Sequence, residues 1–115
     1  MARLARGEIW LVKLDPTVGH EIQKTRPCVI LQNDILNTHS ELTVVLPITS
    51  QKIERIFPGQ VFIAGTKNTG IKDSKVICQQ IRSVDKKRLA RRLGVLTKGN
   101  ISDIETQLQI VLGMY

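Results

Sequence analysis

Asp15 to Asp34 reads DPTVGHEIQKTRPCVILQND, and its second half decides the fold. Cys28, Val29, Ile30 and Leu31 run apolar without a break, between Thr25-Arg26-Pro27 and the polar Gln32-Asn33-Asp34. A short apolar run between turn signals reads as a buried strand. Pro27 has no N–H to donate, so it suits the first position of that strand. It also pushes Arg26 toward an extended conformation. Arg26 is thereby held at the mouth of a core strand, where its guanidinium can point into a cleft. Groups carried on loops anchored to a rigid scaffold are often the binding and catalytic ones. The plainer alternative is a surface pair between Arg26 and Glu21, because loop arginines are commonly solvated.

Working outward, Glu8 to Leu14 alternates, with Ile9 and Leu11 on one side and Trp10, Val12 and Leu14 on the other. Apolar residues on both faces place this strand well inside a barrel or sandwich, with Trp10 in the core. Asp15-Pro16 breaks it, and Gly19 is a hinge in the loop that follows. Asn33 to Ser40 is a polar link with one helical turn near Ile35-Leu36. Leu42 to Ile48 (LTVVLPI) is a third strand rich in β-branched residues, with Pro47 marking an edge or a bulge. Gln60 to Ala64, Lys75 to Val84 and Arg91 to Leu96 are the fourth, fifth and sixth strands. The last element is a helix. Ser102 and Glu105 form a capping box. Ile101, Ile104, Leu108, Val111 and Leu112 make an apolar stripe, and Gly113 terminates it. The expected architecture is α+β: one domain over residues 1–115, a small, strongly bent antiparallel barrel with a C-terminal helix.

The chain has 115 residues, and 42% of them are hydrophobic, which fills one modest core. With one Trp, one Tyr and two Phe, that core must be mostly aliphatic. A net charge of +7, from 17 basic and 10 acidic residues, favours a polyanionic partner such as nucleic acid or an acidic protein segment. Solubility alone would also account for it. Cys28 and Cys78 lie in apolar runs without a CxxC or nearby His pattern, so they read as buried hydrophobes and not as metal ligands. Met1 to Arg6 leads into no signal-peptide stretch. No run approaches the ~20 apolar residues of a membrane span. The expectation is a reduced, cytoplasmic protein with no membrane segment. Nothing resembles a phosphate-cradling glycine loop or a Ser/His/Asp triad, so no cofactor is expected.

Gly7-Glu8-Ile9-Trp10, Asp15-Pro16, Gly19-His20-Glu21, Thr25-Arg26-Pro27 and Gln32-Asn33-Asp34 resemble, in this order, motifs of the MazF/PemK family of toxin endoribonucleases. Pro47-Ile48-Thr49-Ser50 and Gln79-Gln80-Ile81-Arg82-Ser83-Val84-Asp85 resemble its later motifs. The likeness runs from about Arg6 to Gly113. It implies an SH3-like barrel, usually a homodimer, that cleaves single-stranded RNA in a sequence-specific manner without metal. The products would be a 2′,3′-cyclic phosphate and a 5′-OH. It also implies a small acidic antitoxin as inhibitor. Arg26 matches the family's catalytic arginine and Thr49 its catalytic threonine. Glu21 precedes the arginine by five residues, as in one branch. That branch has a His directly before the arginine, where this chain has Thr25. Gln79, Gln80 and Arg82 match a segment that contacts RNA, and Ser50, Lys24 and Phe57 complete the expected RNA-binding set.

The residue types suit that chemistry. A guanidinium offers up to five donors in a fork that fits a phosphate, and its high pKa makes it a poor base. Arg26 is therefore expected to stabilise charge on phosphorus, and Thr49 to donate to a nonbridging oxygen. Glu21 could orient Arg26, accept a proton, or be a solvated loop carboxylate. His20 is either an acid or a bystander. Gln79 and Gln80 either read bases, or one faces solvent while the other bonds within the barrel. Lys86, Lys87, Arg88, Arg91 and Arg92 form either a solvated face or an electrostatic funnel for RNA. Two other functions remain open on the same fold. One is a protein-binding toxin that inhibits DNA gyrase, whose members lack the loop arginine and threonine. The other is a non-catalytic RNA-binding barrel.

Overall fold

The apolar segments become seven strands in a computed structural model that describes residues 3–115. They are β1 (Glu8–Lys13), β2 (Thr25–Ile30), β3 (Leu42–Thr49), β4 (Gln60–Ile63), β5 (Ser74–Ile77), β6 (Arg82–Asp85) and β7 (Leu89–Val95). Helix α1 (Asp34–His39) follows β2, and α2 (Lys98–Leu112) follows β7. Every pairing is antiparallel, in the order β4-β5-β3-β2-β1-β7, with β6 as a further partner of β3.

Strand alternation sends side chains to two aliphatic clusters. Ile9, Val29, Leu46, Ile48, Val61, Ile63, Val76, Cys78 and Leu96 fill one, and Ile104 and Leu108 of α2 close it. Trp10, Val12, Leu14, Cys28, Ile30, Val45 and Val84 fill the other. Burying Ile104 and Leu108 contributes about 1.5–3 kcal/mol each, which is what fastens α2 to the sheet.

The two outer strands, β4 and β7, do not pair. The barrel is closed instead by the β4–β5 connection, whose Asn68 carbonyl accepts from Val95 N–H of β7 (2.8 Å), and by α2 lying over β4. That contact is made backbone to backbone. A Cβ on Gly94 would stand 2.3 Å from the carbonyl oxygens of Asn68 and Thr69, and one on Gly70 would stand 2.0 Å from the Leu93 carbonyl.

Several elements differ from the sequence expectation. The single strand expected over Lys75 to Val84 is two, split by a 3-10 turn at Cys78–Gln80. β2 begins at Thr25, so Pro27 lies inside it, not at its first position. β7 starts at Leu89 and ends at Val95. The expected helical turn at Ile35-Leu36 is the six-residue α1, capped by the Asn33 side chain accepting from Ile35 N–H (2.8 Å). Ser102 and Glu105 are not a capping box. The cap is Thr97, whose hydroxyl accepts from Asn100 N–H (3.0 Å), while Glu105 pairs with Arg6 (2.8 Å). Gly99 and Asn100 are weak helix formers in the first turn, and they hide the true start. Gly113 does end the helix, with φ 70°, but Leu112 is 51% exposed and leaves the stripe.

Gly94→Ala should cost about 1–3 kcal/mol by overpacking, read as a lowered midpoint in chemical denaturation. An unchanged midpoint would mean that the turn does not close the barrel as described.

Candidate active site

The cleft follows from strand register. Cys28 faces Pro47, Val29 faces Leu46 and Ile30 faces Val45 in the β2–β3 ladder. Continued by two residues, the same register sets Arg26 against Thr49. The ladder stops before reaching them, because Arg26 pairs with Val12 of β1 while Thr49 pairs with Lys75 of β5. β3 changes partner here, and the sheet opens.

Two prolines sit at the opening. Along a strand the main-chain bonding groups point alternately to the two neighbours. Leu14 N–H donates to Lys24 O and Gly7 N–H to Ile30 O, so even residues of β2 face β1. Leu31 N–H donates to Val44 O, so odd residues of β2 face β3, and even residues of β3 face β2. Pro27 therefore turns its donor-less nitrogen toward β3, past the last ladder pair. Pro47 turns its own toward the gap between β6, whose pairing ends at Val45, and β5, whose pairing starts at Ile48. Neither proline leaves a partner carbonyl in a continuing ladder.

The resulting cleft has a volume of about 410 Å³. Arg26 and Pro27 line it from β2, Ile48 and Thr49 from β3, and Ser50 and Gln51 from the loop after β3. His20, Glu21, Ile22 and Gln23 line it from the β1–β2 loop, and Ile71, Lys72 and Ser74 close it. Arg26 is exposed, and its Nε donates to Gln23 O (3.2 Å). Its remaining N–H groups have no acceptor among the described residues. Thr49 is half-buried, and its Oγ1 accepts from Gln51 N–H (3.2 Å), which leaves the hydroxyl proton free. Glu21 does not pair with Arg26. Its Oε1 accepts from Val18 N–H (2.5 Å), closing a small turn within the loop. The carbonyl of Gln23, not the Glu21 carboxylate, orients the guanidinium. Cys28 lies fully buried behind Arg26, with its thiol donating to the Arg26 carbonyl (3.7 Å). Burial pushes its pKa up to about 12 against the opposing effect of Arg82, and burial raises Cys78 to about 11. Both thiols are free and protonated at neutral pH, so neither is a nucleophile.

Gln79, Gln80 and Arg82 line a second cavity of about 170 Å³ that shares Glu21 and Ile22 with the cleft. Gln79 is exposed. Gln80 Oε1 accepts from Ile22 N–H (2.7 Å), and Arg82 donates to Leu14 O (3.1 Å). Arg88 donates to Lys13 O (3.0 Å) and to Asp15 O. These three side chains latch both ends of the loop that carries His20 and Glu21. Lys24 has φ 66° and is exposed at the loop's end, outside the cleft lining. Phe57 is 52% exposed but does not line the cleft, and Lys75 Nζ stands 5.8 Å from its ring centroid. In the basic run, Lys86 is buried and donates to Asn37 O, Arg88 is bonded as above, and Arg92 pairs with Glu8 (2.8 Å). Lys87 and Arg91 are the exposed members whose side chains make no bond among the described residues.

A family model described as "PemK-like, MazF-like toxin of type II toxin-antitoxin system" matches residues 5–112. The chain belongs to this toxin family. The fold of MazF from Deinococcus radiodurans is similar, with TM-score 0.86 and 23% identity over 99% of this chain and 100% of that one. An endoribonuclease from a Mycobacterial species, solved in complex with its cognate antitoxin, gives 0.78 at 23% identity over 96% and 95%. Mycobacterium tuberculosis toxin MazF-mt6 gives 0.76 at 21% over 92% and 96%. Among the described residues no group of three or more His, Cys, Asp or Glu could hold a metal ion, and no helix is long and apolar enough to cross a membrane.

Sequence reading did not find Gln23, Gln51, Ile71, Lys72 or Ser74 in this PemK/MazF-type cleft. Gln23 acts through its carbonyl, and Ile71, Lys72 and Ser74 arrive from the end of the β4–β5 connection and the start of β5, far off in sequence, so no local signal marks them.

The latch is testable. Gln80→Leu removes the acceptor of Ile22 N–H, a bond with a net value of about 1 kcal/mol. Hydrogen exchange at the Ile22 amide should then quicken by roughly five- to tenfold. Exchange at wild-type rate would show that Gln80 does not hold the loop.

Proposed function

We propose that this chain is a sequence-specific, metal-independent endoribonuclease toxin that cleaves single-stranded RNA and is silenced by an acidic antitoxin. The observation that carries the reading is the pair Arg26 and Thr49: opposed in register, in one open cleft, both with free donors. Cleavage joins the 2′-oxygen to phosphorus and breaks the bond from phosphorus to O5′, leaving a 2′,3′-cyclic phosphate and a 5′-OH. The proton of the 2′-OH must leave, and one must reach O5′. Arg26, held at Nε by Gln23, presents its outer N–H groups to the nonbridging oxygens as their charge grows, and the Thr49 hydroxyl donates beside it. Glu21 and His20 line the same cleft and are the side chains available to carry the two protons.

Arg26→Ala and Thr49→Ala should each slow cleavage of a long unstructured RNA by on the order of 10²–10³, with the circular dichroism spectrum unchanged. The wild-type reaction should persist in EDTA, because the cleft supplies an arginine and a threonine and not a carboxylate cluster. Wild-type cleavage rates in Arg26→Ala would end the assignment. RNA bound but left intact by the wild type would instead favour a non-catalytic RNA-binding barrel, and gyrase inhibition without RNA cleavage a protein-binding toxin.

The partner is proposed on charge. A +7 chain attracts an acidic, disordered antitoxin segment that orders on binding. Exposed Ile110, Leu112 and Met114 at the end of α2 offer apolar area to a second copy, and the working form is proposed to be a cytoplasmic homodimer. Antitoxin and RNA should compete, and both should bind more weakly as salt rises. In a titration against a 2′-deoxy RNA analogue, antitoxin binding that ignores saturating analogue would rule out a shared site.

A further inference from the structure

Beside the cleft lies an open groove of about 690 Å³, between the loop after β3 and the β4–β5 connection. Ser50, Ile71 and Lys72 belong to both lining sets, so cleft and groove adjoin along these three residues. Ile53, Thr66, Lys67 and Asp73 line the groove alone. Lys67 and Lys72 are exposed and have no acidic partner among the described residues, where the ion pairs are Arg6–Glu105 and Arg92–Glu8. Asp73 is the acid on the groove wall, and its Oδ1 is occupied by Gly65 N–H (2.7 Å).

Both walls are held in place. Buried Lys75 donates to Lys52 O (3.1 Å) and Arg55 O (2.9 Å), which fixes the loop after β3. On the other side Thr69, 2% exposed, bonds Thr66 through its hydroxyl (3.1 Å to Thr66 O), and Gly70 N–H donates to Thr66 O (3.1 Å). Gly65 packs so closely that a Cβ there would stand 2.7 Å from Ile71 O and Asp73 N. The groove therefore needs no ordering of its walls to receive a ligand, and that lowers the cost of binding.

We propose that this groove carries one flank of the RNA away from the scissile phosphate, with Lys72 and then Lys67 each holding a backbone phosphate. The order follows from the lining: Lys72 borders both cavities and Lys67 only the outer one. The groove has no aromatic side chain, Asn, Gln or Arg on its walls, and Thr66 Oγ1 and Asp73 Oδ1 are taken by Thr69 N–H (3.2 Å) and Gly65 N–H (2.7 Å), which leaves Ser50 at the border with the cleft. Ile53 and Ile71 give bases an apolar surface without reading their edges, so this flank is bound by its backbone and not by its sequence. The inference rests on the ribonuclease reading above.

The test compares a minimal cleavable oligonucleotide with versions extended by three nucleotides on the 5′ or the 3′ side. One extension should lower KM for the wild type, whatever bases it contains. Lys67→Ala, at a residue that lines the groove and not the cleft, should remove most of that gain, raising KM on the extended substrate roughly tenfold, the size of one charge-assisted hydrogen bond. The loss should fall on KM and not on kcat. The slope of log(kcat/KM) against log[salt] should become shallower by about 0.7 for each phosphate that no longer meets a lysine. Equal KM and equal slope in variant and wild type would overturn the groove assignment while leaving the ribonuclease reading intact. So would a loss confined to kcat. A wild type that cleaves no RNA would overturn both.

Discussion

β3 cannot keep one pair of neighbours along its length, and most of the molecule follows from that constraint. Leu42–Val45 pair with β6, Val45–Pro47 with β2 on the other edge, and the last two residues with β5. The handover opens a gap in the ladder, and a gap exposes main-chain donors unless something removes them. Pro27 and Pro47 remove them at the two places where donors would point into empty space. The same splaying leaves Arg26 and Thr49 facing each other across solvent instead of across a hydrogen-bonded pair. A site built this way sits on two strands that are paired on their other edges at the site itself, Arg26 with Val12 and Thr49 with Lys75, so its geometry is held although its groups are accessible.

The long β1–β2 loop completes the cleft, and a loop of that length is a poor platform for precise chemistry unless it is tied down. Here the ties come from the far end of the chain. Gln80, Arg82 and Arg88 bond to the main chain at Ile22, Leu14, Lys13 and Asp15. Residues that look like RNA ligands by type thus serve first as struts. Lys75 does the same for the loop after β3, and Lys86 for α1. Each is buried, and each ends on main-chain carbonyls, the arrangement that makes a buried ammonium tolerable.

Net charge is consequently a poor guide to where a polyanion would sit. Of the five cations between Lys86 and Arg92, Lys86, Arg88 and Arg92 are engaged with the protein's own oxygens. Arg26, Lys72 and Lys67, none of them in that run, line the cleft and the adjoining groove with free donors. A cluster in sequence is dispersed by the fold, and a cluster in space is assembled from two separate segments, β2 and the β4–β5 connection.

The sequence by itself determined the strands, the aliphatic core, the terminating Gly113 and the two residues on which the proposed chemistry rests. Those signals are local: apolar periodicity, β-branching, a proline after an arginine, and a motif order that points to one family. Local signals failed where neighbours in space outweighed neighbours in sequence. Lys75 to Val84 is a strand by composition, yet it must break at Cys78–Gln80, because it serves β3 as two successive partners. Ser102 and Glu105 have capping chemistry, but Thr97 starts the helix, and Arg6 claims the glutamate. Only the tertiary structure decided that Gln23 rather than Glu21 orients Arg26, that Gln80 and Arg82 bind a loop, and that Lys72 borders the cleft. Each of those depends on which main-chain N–H, carbonyl or cavity a side chain meets in the folded chain, a distance that no spacing along the chain encodes.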